Sequence, residues 1–366
     1  MKIVQASTFS YDRIDKYISQ GHPFFSVSRF GYEYLKKLYG SDNYKVITPE
    51  NSLFLPFIEK ILGSEGRNLV LQMRCAFYKH ADVIYYPTDR HIWLLSLLRK
   101  FRVCNKPILV VSHFTYNTHH VNSKLKKILL RIERFIVFHS IDQIVFANEN
   151  LLKHAMKDYR VPLRHQKYTG WGADLDFFSL KEESTPDIFF LAAGGVNRDY
   201  DTLIKAFSVL PYKLVISCSP TSLQRFGDLP PNIEVFDYKK YGMAASEKLR
   251  QLYYQCYAVL ISIEQQNHVP NGASVLVESL ACGKPIVITD YDSNYIDVES
   301  DRCGYLAKHH NPKDWVDKIE ELLIPERYLE LKNNCISLAK EKYNYKIFSQ
   351  DIFRMINDMV VNGNHV

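Results

Sequence analysis

The chain has 366 residues, of which 46% are hydrophobic and 23% charged, with a net charge of +6. That length and balance fit two ordinary globular domains that need no disulfide or metal staples. The mild positive charge is too weak to argue for nucleic acid, and no nucleic-acid partner is expected.

The seven cysteines are scattered and form no C-x-x-C pair, which points to reduced thiols in a cytoplasmic protein. "MKIVQASTFS" lacks the apolar core of a signal peptide, and no run is long enough to span a bilayer. The expectation is a cytoplasmic protein, either free or peripheral at the inner face of the plasma membrane.

In chain order, "KIVQAS" predicts a short buried strand and "GYEYLKKLYG" a helix stopped by glycine. "NYKVITP" and "HADVIYYPT" predict strands, "HIWLLSLLRKF" an apolar helix with a basic end, and "KPILVVSHF" a further strand. "SKLKKILLRIERFIVFHS" predicts a basic amphipathic helix, and "IDQIVFANENLLKHAMKDY" a strand followed by a helix. The turn-rich, charged segment 171–187 breaks this rhythm and reads as a linker. The alternation restarts with strands at "DIFFLAAGG", "YKLVISCS", "NIEVFDY", "AVLISI" and "PIVITD". Helices are expected at "DYDTLIKAFSVL", "SEKLRQLYYQC", "GASVLVESLACG" and "NPKDWVDKIEELL".

This alternation predicts an α/β protein with two doubly wound domains, 1–170 and 188–345. A final helix, 346–366, is long enough to cross back to the first domain.

Ligands of open parallel sheets bind beyond the carboxyl ends of the strands, so the loops there carry the site. "EQQNHVPNGAS" runs into a helix whose free N–H groups, from Gly272, Ala273, Ser274 and Val275, suit a phosphate. Asn271 lies in the same loop, and Glu278 lies about one turn into the helix, where a carboxylate suits ribose hydroxyls. The plainer alternative is an ordinary cap loop with a solvated Glu. "AAGGVNRDYD" places Gly194 and Gly195 where a ligand can approach the backbone, and Arg198 where a guanidinium can neutralise a diphosphate. The alternative is a tight turn with Arg198 solvated, or paired to Asp199 or Asp201. Phe236 and Tyr238 are candidates to wall a flat base, or belong to an aromatic-rich turn.

Together these segments resemble the donor-binding half of GT-B glycosyltransferases, closest to family 4. "SVLVESLACGKPIVITD" is similar to that family's "LLEAMACGKPVVAT", "GGVNRDYDTLIKAF" to its "(R/K)DYDTLI" segment, and "GWGADLDFF" to its interdomain "NGVDLDRF". The resemblance covers roughly residues 165–325. It implies a GT-B fold, two Rossmann-like domains facing across a cleft, the first for the acceptor and the second for a nucleotide sugar. It implies a glycosyltransferase acting on a saccharide or lipid-linked saccharide in surface polysaccharide or glycoconjugate synthesis. The donor would be a UDP-sugar first and a GDP-sugar next.

By the same resemblance Glu278 matches the second Glu of an E-x7-E motif, which binds the donor ribose. Pro270 stands where the first Glu is expected, and Glu264 and His268 are candidates to reach the same space. A GT-B epimerase or hydrolase, or a non-catalytic nucleotide-sugar-binding partner protein, therefore stays open. No cofactor or metal is expected, because Arg198 and the helix N–H groups can carry the leaving charge. His113, His119 and His120 also fit no common zinc spacing. Retention at the sugar carbon is favoured over inversion. His113, at the end of a strand, is either a structural histidine or a catalytic group, and Asp12 is a second candidate base.

The Lys and Arg residues from Arg99 to Arg134 are opposed only by Glu133. Within them, residues 123–136 predict a helix with Leu125, Ile128, Leu129, Ile132 and Phe135 or Ile136 on one face. It is either a core helix with a basic rim or a helix that lies on an anionic membrane.

Overall fold

The computed structural model describes residues 1–50, 52–89, 92–113, 123–179, 188–218, 228–265, 271–292 and 294–363. His119, His120, His268, Pro270 and residues 180–187 of the expected linker lie outside the described residues.

Short runs of Val, Ile, Leu, Tyr and Phe form two parallel sheets. The first contains β1 (Ile3–Ala6), β2 (Tyr44–Ile47), β3 (Val83–Tyr86), β4 (Ile108–Ser112) and β5 (Gln143–Phe146), in the order β2-β1-β3-β4-β5. Every residue of β1, β3, β4 and β5 is buried. Such fully buried, mostly apolar runs are what a sheet covered on both faces requires. Register is set by pairs such as Ile3 with Tyr44 on one side and Val83 on the other.

The second sheet contains β6 (Phe189–Ala193), β7 (Lys213–Cys218), β8 (Ile233–Asp237), β9 (Ala258–Ile261), β10 (Ile286–Thr289) and β11 (Gly304–Ala307). Its order is β11-β10-β9-β6-β7-β8, again with parallel neighbours. Alternate residues feed two cores, as the two-residue period of a strand dictates. Leu191, Val259, Ile261 and Ile288 pack under the helix Ala273–Ala281. Phe190, Leu214, Leu260 and Val287 pack on the other face with Phe207 and Trp315.

In each sheet the strand order reverses once: between β1 and β3 in the first, and between β6 and β9 in the second. A crevice opens at the carboxyl ends of the strands at such a point.

The chain divides into two units, one of residues 1–16, 28–170 and 346–366, the other of 17–27 and 171–345. The grouping of 17–27 with the second unit differs from the contiguous division expected above. Phe25 packs its ring on Phe177 and Phe178, and the Ser26 N–H donates to Asp174 Oδ2 at 2.7 Å. Residues 171–179 are likewise packed rather than linker-like, since Ala173, Phe177 and Phe178 are buried in the second core. The final helix, Tyr345–Gly363, buries Phe348, Ile352 and Ile356 at helical spacing. Within the first unit its Asp351 accepts a 3.2 Å hydrogen bond from Thr169.

All seven cysteines are free and buried. No helix of the described residues is long and apolar enough to cross a membrane.

Candidate active site

At the switch point of the second sheet, β6 is followed by Gly194, which has φ +129. The Arg198 side chain folds back over it. Its Nε donates to Ala193 O at 3.2 Å and its Nη1 to Val196 O at 2.9 Å. A Cβ on Gly194 would lie 2.6 Å from Arg198 Nη2, so only glycine leaves the guanidinium room. Among the described residues no carboxylate pairs with Arg198, and Nη2 has no acceptor. The sequence alternative, a pair with Asp199 or Asp201, is not formed: Asp199 instead caps the helix Tyr200–Phe207 by accepting from the Thr202 N–H at 3.0 Å. Burial of the guanidinium lowers its pKa. A shielded cation without a counter-ion is held ready for an anion.

The helix that would help hold that anion begins beside it. Gly272 caps Ala273–Ala281 with φ +84, and a Cβ there would lie 3.5 Å from Arg198 Nη2. The first-turn N–H groups of Ala273, Ser274 and Val275 are not used within the helix. Val275 is buried, Ala273 is half-buried and Ser274 is exposed. The structure thus brings Arg198, Gly194 and this helix start together in one locus. Gly195 is exposed at the same loop, with the Tyr238 hydroxyl 3.5 Å from where its Cβ would be.

Glu278 lies on the same helix and is largely shielded from water. Burial raises its pKa from 4.5 to about 7, and a hydrogen bond from the Tyr253 hydroxyl, 2.8 Å from Oε2, lowers it in part. It is not a solvated surface Glu. The fully buried Tyr253 was missed from sequence because it lies 25 residues away from Glu278 and on another helix, Ala245–Gln255.

Phe236 stacks on Tyr241 at 5.0 Å with nearly parallel rings, near the carboxyl end of β8. Asn197 ties two loops together, its Nδ2 donating to Gln265 O and its Oδ1 accepting from the Gln265 N–H, both at 2.8 Å. The Glu264 N–H reaches Asn197 O at 3.4 Å. Asn271 is half-buried beside the helix start. Asp199, Glu264 and His310 bring ligating atoms within 4.8 Å of one another, a grouping that sequence spacing does not reveal. His310 Nδ1 and Asp199 Oδ2 are already hydrogen-bonded at 2.8 Å.

The first unit has its own cavity at the β1–β3 switch point, about 590 Å³ in volume. Phe9, Ser28, Phe30, Arg67, Asn68 and Thr88 are among the side chains that line it. Aromatic faces interleaved with hydroxyl, amide and guanidinium groups suit a polyhydroxylated ligand. His113 follows β4, with its ring 5.4 Å from that of Phe30. Burial lowers its pKa to about 4, so the ring is neutral at ordinary pH. The backbone N–H of His113 donates to Asp89 Oδ1 at 3.4 Å, and the Ser112 hydroxyl donates to Asp89 Oδ2 at 2.7 Å. Asp12 stands apart. It is exposed on the first turn of Asp12–Ser19, outside the set that lines the cavity.

Residues 173–342 match the family model described as glycosyl transferases group 1. No curated protein sequence matches the chain significantly. Among solved structures the chain is similar to a sucrose-phosphate synthase from Thermosynechococcus elongatus, at 12% identity and TM-score 0.68 over 99% of this chain and 100% of that one. It is similar to Alr3699/HepE of Anabaena in complex with UDP-glucose, at 13% identity and TM-score 0.67 over 98% and 100%. A glycosyltransferase from Rickettsia africae ESF-5 follows at 12% identity and TM-score 0.66, covering 98% of each chain. At such identities the likeness is one of fold. The segment 173–342 thus belongs to the glycosyl transferases of group 1, within a chain that has the GT-B fold.

Proposed function

We propose that this glycosyltransferase moves a sugar from a nucleoside-diphosphate sugar to a hydroxyl of a saccharide or lipid-linked saccharide. The proposed donor is a UDP-sugar first and a GDP-sugar next, and the proposed setting is surface polysaccharide or glycoconjugate synthesis. The observation that carries this reading is Arg198, a shielded guanidinium with no carboxylate partner among the described residues, beside the start of Ala273–Ala281. Binding of UDP-glucose by Alr3699/HepE, of the same fold, supports the uridine carrier.

In the proposed reaction the bond from the sugar C1 to the diphosphate oxygen breaks and a bond from C1 to the acceptor oxygen forms. The acceptor proton ends on the diphosphate or on solvent. The leaving oxygens gain charge as the bond breaks, and Arg198 with the N–H groups of Ala273, Ser274 and Val275 stabilises that charge. These donors are in place before the reaction, so no metal is required in this reading. Glu278 accepts from the ribose hydroxyls. Phe236 and Tyr238 wall the base, and Glu264, His268 and Asn271 are proposed to line the sugar side.

The neutral, weakly basic His113 suits a hydrogen-bonding role better than proton abstraction. That supports retention at the sugar carbon over inversion. Asp12 remains the alternative base. The cavity of the first unit is proposed to take the acceptor.

The helix Lys124–Ser140 supports a seat on the cytoplasmic membrane face. Leu125, Ile128, Leu129, Ile132 and Phe135 are each more than half exposed, so this is not a core face with a basic rim. Lys124, Lys127, Arg131 and Arg134 flank the apolar stripe, which gives it the chemistry to lie on an anionic bilayer.

The test is release of UDP from a panel of UDP-sugars with and without saccharide acceptors. Release that needs an acceptor, with a glycoside formed, is expected. Turnover without acceptor would instead mark an epimerase or hydrolase. Binding without turnover would mark a non-catalytic partner protein.

A further inference from the structure

Three loops at the carboxyl ends of the second sheet's strands bring ligating side chains to one point. Asp199 lies after β6, Glu264 after β9 and His310 after β11. One ligating atom of each, a carboxylate oxygen or a ring nitrogen, lies within 4.8 Å of the other two. His310 Nδ1 and Asp199 Oδ2 are the nearest of them, at 2.8 Å.

The group is anchored from behind. Asp199 is only 4% exposed, and its other oxygen, Oδ1, accepts the Thr202 N–H at 3.0 Å, which fixes the direction of the carboxylate. His309 Nε2 donates to Glu264 O at 2.9 Å, and the His309 ring lies 3.6 Å from that of His310. The loops after β9 and β11 are therefore tied together by contacts that leave the Glu264 carboxylate and the His310 ring nitrogen facing Asp199. Such supporting contacts orient ligands around a metal.

The plain explanation is a staple: the His310–Asp199 hydrogen bond would join the helix Pro312–Leu322 to the cap of Tyr200–Phe207, with Glu264 merely solvated. A staple needs one acid, and two are present. Among the described residues the Glu264 carboxylate makes no hydrogen bond or ion pair, and no Lys or Arg pairs with Asp199. Two carboxylates at one point, one of them buried, with no Lys or Arg to offset them, are the setting in which a bound cation is stabilising.

We infer that Asp199, Glu264 and His310 form a site for a divalent cation of the zinc class. One imidazole nitrogen and two carboxylate oxygens suit zinc, whereas magnesium takes oxygens and holds its water. Ligand atoms about 2.0–2.2 Å from a tetrahedral zinc lie about 3.3 Å apart, so the Glu264 oxygen has to close by no more than about 1.5 Å. Glu264 and His310 reach solvent, so rotation of the glutamate side chain accomplishes this and the ion has a path of entry. Bound there, the cation ties the loops after β6, β9 and β11 together. Stabilisation of the diphosphate stays with Arg198. Only Glu264 is shared with the proposed sugar side, and the inference stands whether or not the glycosyl-transfer reading does.

The test uses the full-length chain, treated with EDTA and dialysed, with neither nucleotide nor acceptor present. Zinc chloride is titrated calorimetrically, and one equivalent is expected to bind. Glu264→Gln, Asp199→Asn and His310→Ala are each expected to weaken binding at least about tenfold. His139→Ala, which removes an exposed histidine elsewhere, is expected to leave it unchanged. Asn at position 199 can still cap Tyr200–Phe207, and Glu264→Gln is the deciding variant because that carboxylate supports nothing in the metal-free fold. Melting in EDTA should show Glu264→Gln as stable as wild type. Magnesium is expected to bind at least about tenfold more weakly than zinc. No zinc binding, zinc binding that Glu264→Gln leaves unchanged, or magnesium binding as tight as that of zinc would overturn the inference.

Discussion

The Arg198 guanidinium lies flat against Gly194, and a Cβ at Gly194 would sit 2.6 to 2.8 Å from three of its atoms. The glycine holds φ +129, a conformation that side chains rarely adopt. Gly194→Ala is therefore expected to displace Arg198 and to lower UDP affinity about tenfold or more, as loss of a charge-assisted contact does. Gly195→Ala, with open backbone and 3.5 Å to the nearest group, is expected to bind UDP within a few-fold of wild type. Calorimetric titration of both variants checks the contrast.

The raised pKa of Glu278, about 7, sets two pH effects. Ribose hydroxyls bind the ionised carboxylate best. UDP binding near pH 6.5 should therefore release a fraction of a proton, read as a buffer-dependent binding enthalpy, and Glu278→Gln should abolish that dependence.

The second effect is on stability. The folded pKa lies above the ordinary carboxyl value of 4.5, so the fold favours the protonated acid. The contribution is full below pH 4.5 and is lost as pH rises through about 7, by up to about 3 kcal/mol. Urea melts at pH 5 and pH 8 should show wild type losing more stability across that interval than Glu278→Gln.

Tyr253→Phe removes the hydroxyl that donates to Glu278 at 2.8 Å. The carboxyl pKa should rise further, so UDP affinity at pH 7 should fall several-fold and recover as pH is raised to 8.5. A loss that does not recover at high pH would mean that Tyr253 acts through packing alone. Titrations at the two pH values decide it.

Replacing Leu125, Leu129 and Ile132 together by Ser should leave melting nearly unchanged, since all three are more than half exposed. It should reduce binding to anionic vesicles about tenfold or more, because the apolar stripe supplies burial into the interface. Vesicle sedimentation measures it.

Strands β1 to β10 were readable because each is a short apolar run whose neighbours are turns, whereas the short edge strand β11 was not expected. "KIVQAS" and "AVLISI" needed no long-range information. The helix pair Leu55–Leu62 and Ser64–Phe77 did not read that way, since Gly63 and Gly66 between and within them look like turn residues. Gly66 is glycine because Ile58 O would lie 2.8 Å from its Cβ, a packing fact with no local signature.

The donor loop showed the same division. Gly194, Arg198 and Gly272 were legible as loop chemistry at strand ends. That Arg198 lies against both glycines, and that Tyr253 buttresses Glu278, depends on tertiary placement. The basic helix left two readings open because periodicity shows an apolar face without showing what covers it. The exposure of Leu125 and Leu129 decides against the core reading.

The central claim is that Arg198 waits for a diphosphate. Calorimetry of UDP and of uridine against wild type and Arg198→Ala tests it most directly. The account predicts that wild type binds UDP much more tightly than uridine and that Arg198→Ala loses about tenfold or more in UDP affinity while uridine affinity stays the same. Equal UDP affinity in the two proteins would contradict it.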